Sequence, residues 1–257
     1  MELFLFSSAF KEFTRTKRLL PWVVVLALVG GIAISWRSLS AHATQSEVYA
    51  DVVSILVFRI VALMSAIFTT AIISQEVELK TISYLLTRPI PRPKLLLARF
   101  AASVVVVFGL GVFGLVAASI GVMGSAGLSN PILYRDIMAV GVGSIAYGGL
   151  FLLVSLLINR AMIVCLLFAF GWETAVPNMP GEIYYTSVFS YMQAIAQHPS
   201  TNSAGGNFLN LLAGSLGVNS LTPSSAYMVM GILSTGCILL AAWWFSNFEY
   251  VPREDAE

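Results

Sequence analysis

The sequence predicts an all-α polytopic membrane protein with six transmembrane helices. Hydrophobic residues make up 58% of the 257 residues and charged residues only 11%, whereas about a quarter of the residues in a soluble domain carry charge. A soluble chain of this size could not bury so much apolar surface. About 20 apolar helical residues cross a bilayer core, and six runs approach that length. They are residues 19–36, 52–73, 100–123, 136–158, 161–175 and 224–245.

The basic residues orient these spans and place both termini in the cytoplasm. With the N-terminus inside, eleven of the fourteen lysines and arginines fall on the inner side, and only Arg37 and Arg135 fall outside. Cytoplasmic loops carry such an excess. Ala41-His42-Ala43 has the pattern of a signal-peptide cleavage site, but cleavage there would leave the basic segment after span two outside, so we reject it. Residues 1–257 are therefore predicted to form a single transmembrane domain.

Residues 1–18 precede span one and have an amphipathic pattern. Leu3, Phe6, Phe10 and Phe13 recur every three or four positions, and charged residues occupy much of the remaining surface. Such a helix lies in the membrane interface, with aromatic side chains in lipid and basic ones at the headgroups. We therefore expect an interfacial elbow helix that leads into span one.

Residues 74–99 form a basic, proline-rich segment between spans two and three. Helical spacing from Glu76 to Thr87 puts polar side chains on one face and apolar ones on the other. This predicts a short amphipathic helix at the cytoplasmic surface. The prolines that follow end this helix, and the next helix can begin near Pro93.

This segment resembles the loop between the second and third membrane helices in permease subunits of ABC-2 type ABC transporters. The family pattern is an acid, a Thr, a Leu-Leu-Ser/Thr run, a Pro and two basic residues. Here it falls on Glu76, Thr81, Leu85, Leu86, Thr87, Pro89, Arg92 and Arg99. Lys80 departs from it, because a Gly often precedes the Thr.

The resemblance implies that residues 74–99 contain a coupling helix that docks on an ATPase subunit. The alternative is a basic loop that only anchors the topology. The residues expected to make the ATPase contact are Glu76, Glu78, Lys80, Thr81, Leu85, Leu86, Thr87, Pro89, Arg92 and Lys94.

The resemblance also implies the permease subunit of an ABC exporter in the plasma (inner) membrane of a bacterium or archaeon. A second permease chain, identical or paralogous, and a cytoplasmic ABC ATPase would complete it. The chain has no G-x-x-x-x-G-K-[ST] loop, so ATP and Mg²⁺ are expected on the partner ATPase. For this chain itself we expect contact with membrane lipid, and no enzyme activity, bound cofactor, metal or nucleic acid.

Residues 176–223 form an external segment with hardly any charge. Two mildly apolar pieces, 186–197 and 207–218, are separated by Gly205-Gly206 and predict two short external helices. In the resembled family, short helices at this place form an outer lid. His198 lies in this segment and His42 in the first external loop. Neither has an acid or Cys at ligand spacing, so both are expected to be solvated loop residues.

Arg59 and Glu173 are the charges predicted within spans. An arginine near the bilayer centre costs about 2.5–3.5 kcal/mol even on the most lenient scale, so Arg59 needs a partner or water. Glu173, near the outer end of span five, is the expected partner, and Asp51 and Asp136 are the alternatives. The pair either fixes helix packing or lines a substrate path.

Glycines in spans three and four predict close helix packing. Small residues let helix backbones approach in lipid, where packing replaces the hydrophobic drive. The contacts they allow lie either within one subunit or between two. The glycines are Gly109, Gly111, Gly114, Gly121, Gly141, Gly143, Gly148 and Gly149.

Three functions fit such a chain. The first is a permease that exports a hydrophobic or amphipathic cargo. The second is a mechanotransmission subunit that moves no cargo and relays ATP-driven motion through residues 177–223 to an extracytoplasmic partner. The third is an ion-coupled secondary transporter, for which inverted repeats are expected. We find no convincing repeat, and the resemblance favours the first.

Overall fold

The computed structural model describes residues 2–39, 43–78, 92–178, 182–198 and 221–247, and all regular structure in these ranges is helical. The α-helices are α1 (Glu2–Phe13), α2 (Thr16–Leu39), α3 (Gln45–Val52), α4 (Phe58–Glu78), α5 (Arg92–Met123), α6 (Pro131–Leu157), α7 (Ala161–Leu167), α8 (Glu173–Ala175), α9 (Val188–Ala196) and α10 (Pro223–Asn247). Short π-helices, Val53–Val57 and Phe168–Trp172, join α3 to α4 and α7 to α8. The 3₁₀ turns are Gly124–Ser129, Val176–Asn178 and Glu182–Thr186.

Five helices in the described ranges are long and apolar enough to cross a membrane. They are Thr16–Leu39, Gln45–Ile72, Pro93–Ser129, Pro131–Leu157 and Pro223–Asn247. The predicted fifth span, Ala161–Ala175, is shorter. At about 1.5 Å per residue its 15 residues extend roughly 22 Å, against a hydrocarbon core of about 30 Å. The all-helical membrane fold is confirmed, whereas this segment falls short of a sixth full span.

Two of the spans start earlier than predicted because local caps extend them. Thr44 and Glu47 form a capping box, in which the Thr44 N–H donates to the Glu47 carboxylate at 2.9 Å. Span two therefore begins at Gln45. Asn130 caps α6 by accepting the Ile132 N–H at 3.0 Å, and a proline follows at the first helical position, where its missing donor costs nothing.

Glycines bring neighbouring helices close to α5. A Cβ added to Gly121 would lie 2.7 Å from the carbonyl oxygen of Gly30 in α2. A Cβ on Gly111 would lie 2.6 Å from the Val140 side chain in α6. These glycines therefore serve packing within one subunit, which is one of the two roles predicted for them.

The amphipathic helix α1 packs its aromatic face on protein. Phe13 is buried and meets Phe68 of α4 edge-on, with ring centroids 6.1 Å apart. Phe6 and Phe10 stack on each other at 5.9 Å and are half-buried against the same core. The prediction that these aromatic residues lie in lipid is wrong for Phe13, because the folded core offers it a more complete apolar surface.

Much of the predicted coupling segment lies outside the described residues. α4 runs to Glu78 and α5 starts at Arg92, beside the proline predicted to open it. The residues between them are not described, and this gap holds Lys80, Thr81, Leu85, Leu86, Thr87 and Pro89. His42 and the predicted external helix 207–218 also lie outside the described ranges.

The predicted topology, with both termini in the cytoplasm, determines which helix ends an impermeant thiol reagent can reach from outside. In a variant with Cys165 and Cys237 replaced by Ala, cysteines at Ser46 or Ser129 should react in intact cells. A cysteine at Asn159 should react only after permeabilisation. All three positions are exposed at the ends of helices. Labelling of Asn159 in intact cells, with protection of the other two positions, would reverse the orientation.

Candidate functional site

Helix α9 lies beside the first half of α6, deeper than an external lid would. Met192 of α9 is fully buried, and a Cβ added to Gly143 would lie 2.5 Å from its Sδ. Gly143 is 12 residues into α6, so the contact lies about 18 Å along that helix. α9 also packs on α10. The helix predicted at 186–197 is therefore present as Val188–Ala196, and it is inserted into the bundle.

The Glu173 carboxylate caps the N-terminus of α9. Its Oε2 accepts the Ser187 hydroxyl at 2.6 Å and the Phe189 N–H at 3.0 Å, and its Oε1 accepts the Val188 N–H at 3.1 Å. Glu173 is only 2% exposed. The first N–H groups of a helix have no intrahelical partner and carry the positive end of its dipole. The Glu173 carboxylate accepts hydrogen bonds from these N–H groups and places a negative charge at the positive end of the dipole.

Residues 161–175 and α9 together form a broken helix. Residues 161–175 are its first piece, and α9 is its second, with its N-terminus at Glu173 in the last turn of the first piece. Val176, Pro177 and Ser187, which flank the break, are buried, whereas Ile183 between them is 49% exposed. In many transporters the N-termini of broken helices point at an anionic substrate group. In this chain the protein's own carboxylate occupies that position.

Arg59 lies inside span two. It is 14 residues after Gln45, where the span-two helix begins, and 19 before Glu78, where α4 ends, so the earlier helix start places it farther from the outer end than predicted. Its Nη1 donates to the Thr174 hydroxyl at 2.7 Å and to the Glu173 main-chain carbonyl at 3.5 Å.

The guanidinium of Arg59 also lies 4.9 Å above the Phe189 ring, within cation–π range. The predicted partner, Glu173, is therefore its neighbour, but the hydrogen bond goes to the main chain while the carboxylate is engaged by α9. Of the two alternatives, Asp51 is exposed and Asp136 contacts a histidine. The direct contacts of the Arg59 guanidinium are a hydroxyl, a carbonyl and an aromatic face, and the Glu173 carboxylate lies close by without a hydrogen bond to it.

The two π-helical stretches lie directly before Arg59 and Glu173. Val53–Val57 ends two residues before Arg59, and Phe168–Trp172 ends immediately before Glu173. A π turn contains one extra residue and so rotates the following side chains by roughly 100° around the helix. The two bulges therefore re-aim Arg59 and Thr174, which meet across the junction of the two helices.

His198 is buried, contrary to the prediction of a solvated loop residue. Its side chain is 3% exposed, and its Nε2 lies 3.0 Å from Oδ1 of the fully buried Asp136. Its Nδ1 lies 3.0 Å from the Ser54 hydroxyl, and its ring stacks on Phe58 at 5.8 Å. The reason is tertiary: α9 is inserted into the bundle, and the residues that leave it stay inside.

The surroundings of His198 hold the C-terminus of α9 in place. Tyr49 meets the imidazole edge-on at 6.5 Å, and its buried hydroxyl completes no hydrogen bond among the described residues. Gln197 ends α9 in the left-handed conformation, at φ 58°, and accepts a hydrogen bond from Arg135. Asp136 and His198 are 62 residues apart, so no local pattern could have paired them; the one sequence signal was an acid inside an apolar run.

The helix ends that carry the predicted coupling residues lie together. Glu76 and Glu78 are on the last turn of α4, and Arg92 and Lys94 are on the first turn of α5. Arg99 donates to the Ile72 carbonyl at 3.5 Å. The end of α4 at Glu78 and the start of α5 at Arg92 therefore belong to two helices that are in contact.

A family model described as ABC-2 family transporter protein matches residues 11–177, about two thirds of the chain. The chain belongs to the ABC-2 transporter family. It is a multi-pass membrane protein and the membrane subunit of an ABC transporter. The members of this family are transport subunits that usually work with an ATPase subunit. The match includes Arg59, Glu173 and the coupling segment. Among curated proteins no sequence matches the chain at a significant level.

Glu173 should matter more than Arg59 for the stability of this ABC-2 permease. Glu173→Leu leaves three buried donors without an acceptor, and each such loss costs about 1–3 kcal/mol. Arg59→Leu removes contacts from a half-exposed group, so we expect a loss of about 1 kcal/mol. The free energies of unfolding of the two variants, measured in detergent, test whether Glu173→Leu is the more destabilising. Equal losses that largely cancel in the double variant would indicate a direct ion pair instead.

His198 and Asp136 should behave as a coupled pair. Removing one member of a buried polar contact leaves the other group buried without its partner, which costs about 1–3 kcal/mol and more where a charge is involved. His198→Gln and Asp136→Asn should therefore each destabilise the protein by roughly that amount, and the double variant by less than their sum. Arg160→Gln, at an exposed charge in the turn between α6 and α7, should change stability by less than about 0.5 kcal/mol. Strict additivity of the two pair variants would contradict the contact.

Proposed function

We propose that this ABC-2 permease is an exporter subunit that works as a dimer, with ATP hydrolysis on a separate cytoplasmic ATPase. The partly exposed arginine inside span two carries this proposal. Exposing an arginine to hydrocarbon at that depth is costly, so the surface around Arg59 is expected to meet protein or a polar path. A path between two permease chains meets this requirement.

The continuous helix α4 supports a mechanical link between the ATPase and this path. It runs from Phe58 to Glu78, so Arg59 and the cytoplasmic end are about 28 Å apart on one rigid element. A push on residues 79–91 would displace both α4 and α5. Because Arg59 touches Thr174 and Phe189, a displacement of α4 would reach both halves of the broken helix.

The mechanotransmission alternative draws on the two ends of α9. Glu173 fixes its N-terminus, and the contact between His198 and Asp136 fixes its C-terminus. Motion of α6 would therefore carry the external segment with it and could be passed to an extracytoplasmic partner. Transport assays in vesicles that hold the purified complex separate the two functions, because only the exporter changes the distribution of a cargo.

The coupling role is tested by charge reversal at the two helix ends. Glu76→Lys and Arg92→Glu should weaken co-purification of the partner ATPase by about tenfold, equivalent to roughly 1.4 kcal/mol. Both should also reduce permease-stimulated ATP hydrolysis. Asp51→Lys makes a matched reversal at the opposite end of span two and should leave both measurements unchanged. Normal assembly and hydrolysis in the first two variants would reduce residues 74–99 to a topological anchor.

A further inference from the structure

The surface around Arg59 combines one cation with large exposed apolar side chains. We define the Arg59 face as Ile55 and Arg59 on the span-two helix, with Leu167, Phe170 and Thr174 on the broken helix. Leu167 is 68% exposed and Phe170 is 61% exposed. The two elements pack against each other, and Arg59 meets Thr174 where they join.

The guanidinium of Arg59 keeps donors available on this face. Its hydrogen bonds to Thr174 and to the Glu173 carbonyl both use Nη1. The N–H groups on Nη2 and Nε make no hydrogen bond within the described ranges. Because the group is partly exposed inside span two, these donors need an acceptor that the described part of this chain does not supply.

The nearest acid cannot supply that acceptor. The Glu173 carboxylate is buried and accepts from Ser187, Val188 and Phe189. Asp136, the other buried acid in the described spans, is in contact with His198. The Arg59 face therefore presents a positive charge with unused donors, while the compensating acid is turned towards α9.

We propose that the Arg59 face binds an amphiphile with an anionic headgroup. The headgroup oxygens accept from Nη2 and Nε of Arg59, in the forked geometry that a guanidinium offers to phosphate or carboxylate. The apolar chain lies along Leu167 and Phe170. This proposal rests on the transport function above and names the class of its cargo.

Charge complementarity favours this occupant over a second copy of the chain. A copy that docked through the same face would bring the same five side chains, none of which is acidic, and so would place a second arginine against Arg59 with no acid between them. A cationic amphiphile would be repelled. An anionic headgroup joined to an apolar chain satisfies both parts of the face.

Lipid binding to the purified full chain tests this proposal without the ATPase. Dioleoyl phosphatidic acid, dioleoyl phosphatidylcholine and inorganic phosphate are titrated in uncharged detergent, and bound lipid is counted by native mass spectrometry. Phosphatidic acid should bind about tenfold more tightly than phosphatidylcholine. Arg59→Gln should abolish this preference, and Arg59→Lys should keep part of it. Inorganic phosphate at millimolar concentration should not displace the lipid.

Two further variants separate this site from general attraction of anionic lipid. Arg160→Gln removes an exposed cation at the turn between α6 and α7 and should leave the preference intact. Phe170→Ala shortens an exposed side chain and should lower the affinity of both lipids by a similar factor. Equal affinity of the two lipids for the wild-type chain, or an equal loss in Arg160→Gln and Arg59→Gln, would overturn the proposal. So would full displacement by inorganic phosphate, which would show a headgroup site with no role for the apolar chain.

If Arg59→Gln does not fold, wild type, Arg59→Lys and Phe170→Ala still decide the result. Loss of the preference in Phe170→Ala with no change in Arg59→Lys would contradict a headgroup held by the guanidinium fork. ATPase assembly is measured separately, so failure of lipid binding with normal assembly rejects this inference alone.

Discussion

The cap that Glu173 places on α9 is the interaction on which the arrangement of the site depends. A helix that starts inside a bundle exposes N–H groups with no partner, and burying them in apolar surroundings costs several kcal/mol. The carboxylate satisfies two of these N–H groups and the Ser187 hydroxyl. Without an acceptor at this place, α9 would gain by starting at the water interface, and the broken helix would not form.

The remaining contacts of α9 follow from that start. Once its first turn is fixed at Glu173, Met192 faces Gly143, where only a glycine leaves room for its sulfur. The chain then leaves α9 at His198, which lies next to Asp136 and Ser54. Each end of α9 is thus held by a polar contact with a different part of the bundle. These anchors tie the short helix to α6 and to the span-two helix.

Arg59 connects this internal framework to the outer surface of the subunit. One nitrogen of its guanidinium binds Thr174 and the Glu173 main chain, and the cation lies against Phe189. The rest of the group is on the exposed side, inside span two. Because α4 continues from this point to Glu78, the proposed push from an ATPase and the proposed cargo would both act at this residue.

The sequence by itself determined the membrane class, the helical fold, the family and the break between α4 and α5, because composition, apolar run length and proline are local properties. It also contained the caps at Thr44 and Asn130, although the predicted spans started later. It named Arg59 and Glu173 as neighbours. Only the tertiary structure decided that Glu173 caps α9 and that His198 is buried beside Asp136. Those contacts join residues far apart in the chain, and a hydrogen-bond acceptor at membrane depth becomes a helix cap only when folding brings a helix start to it.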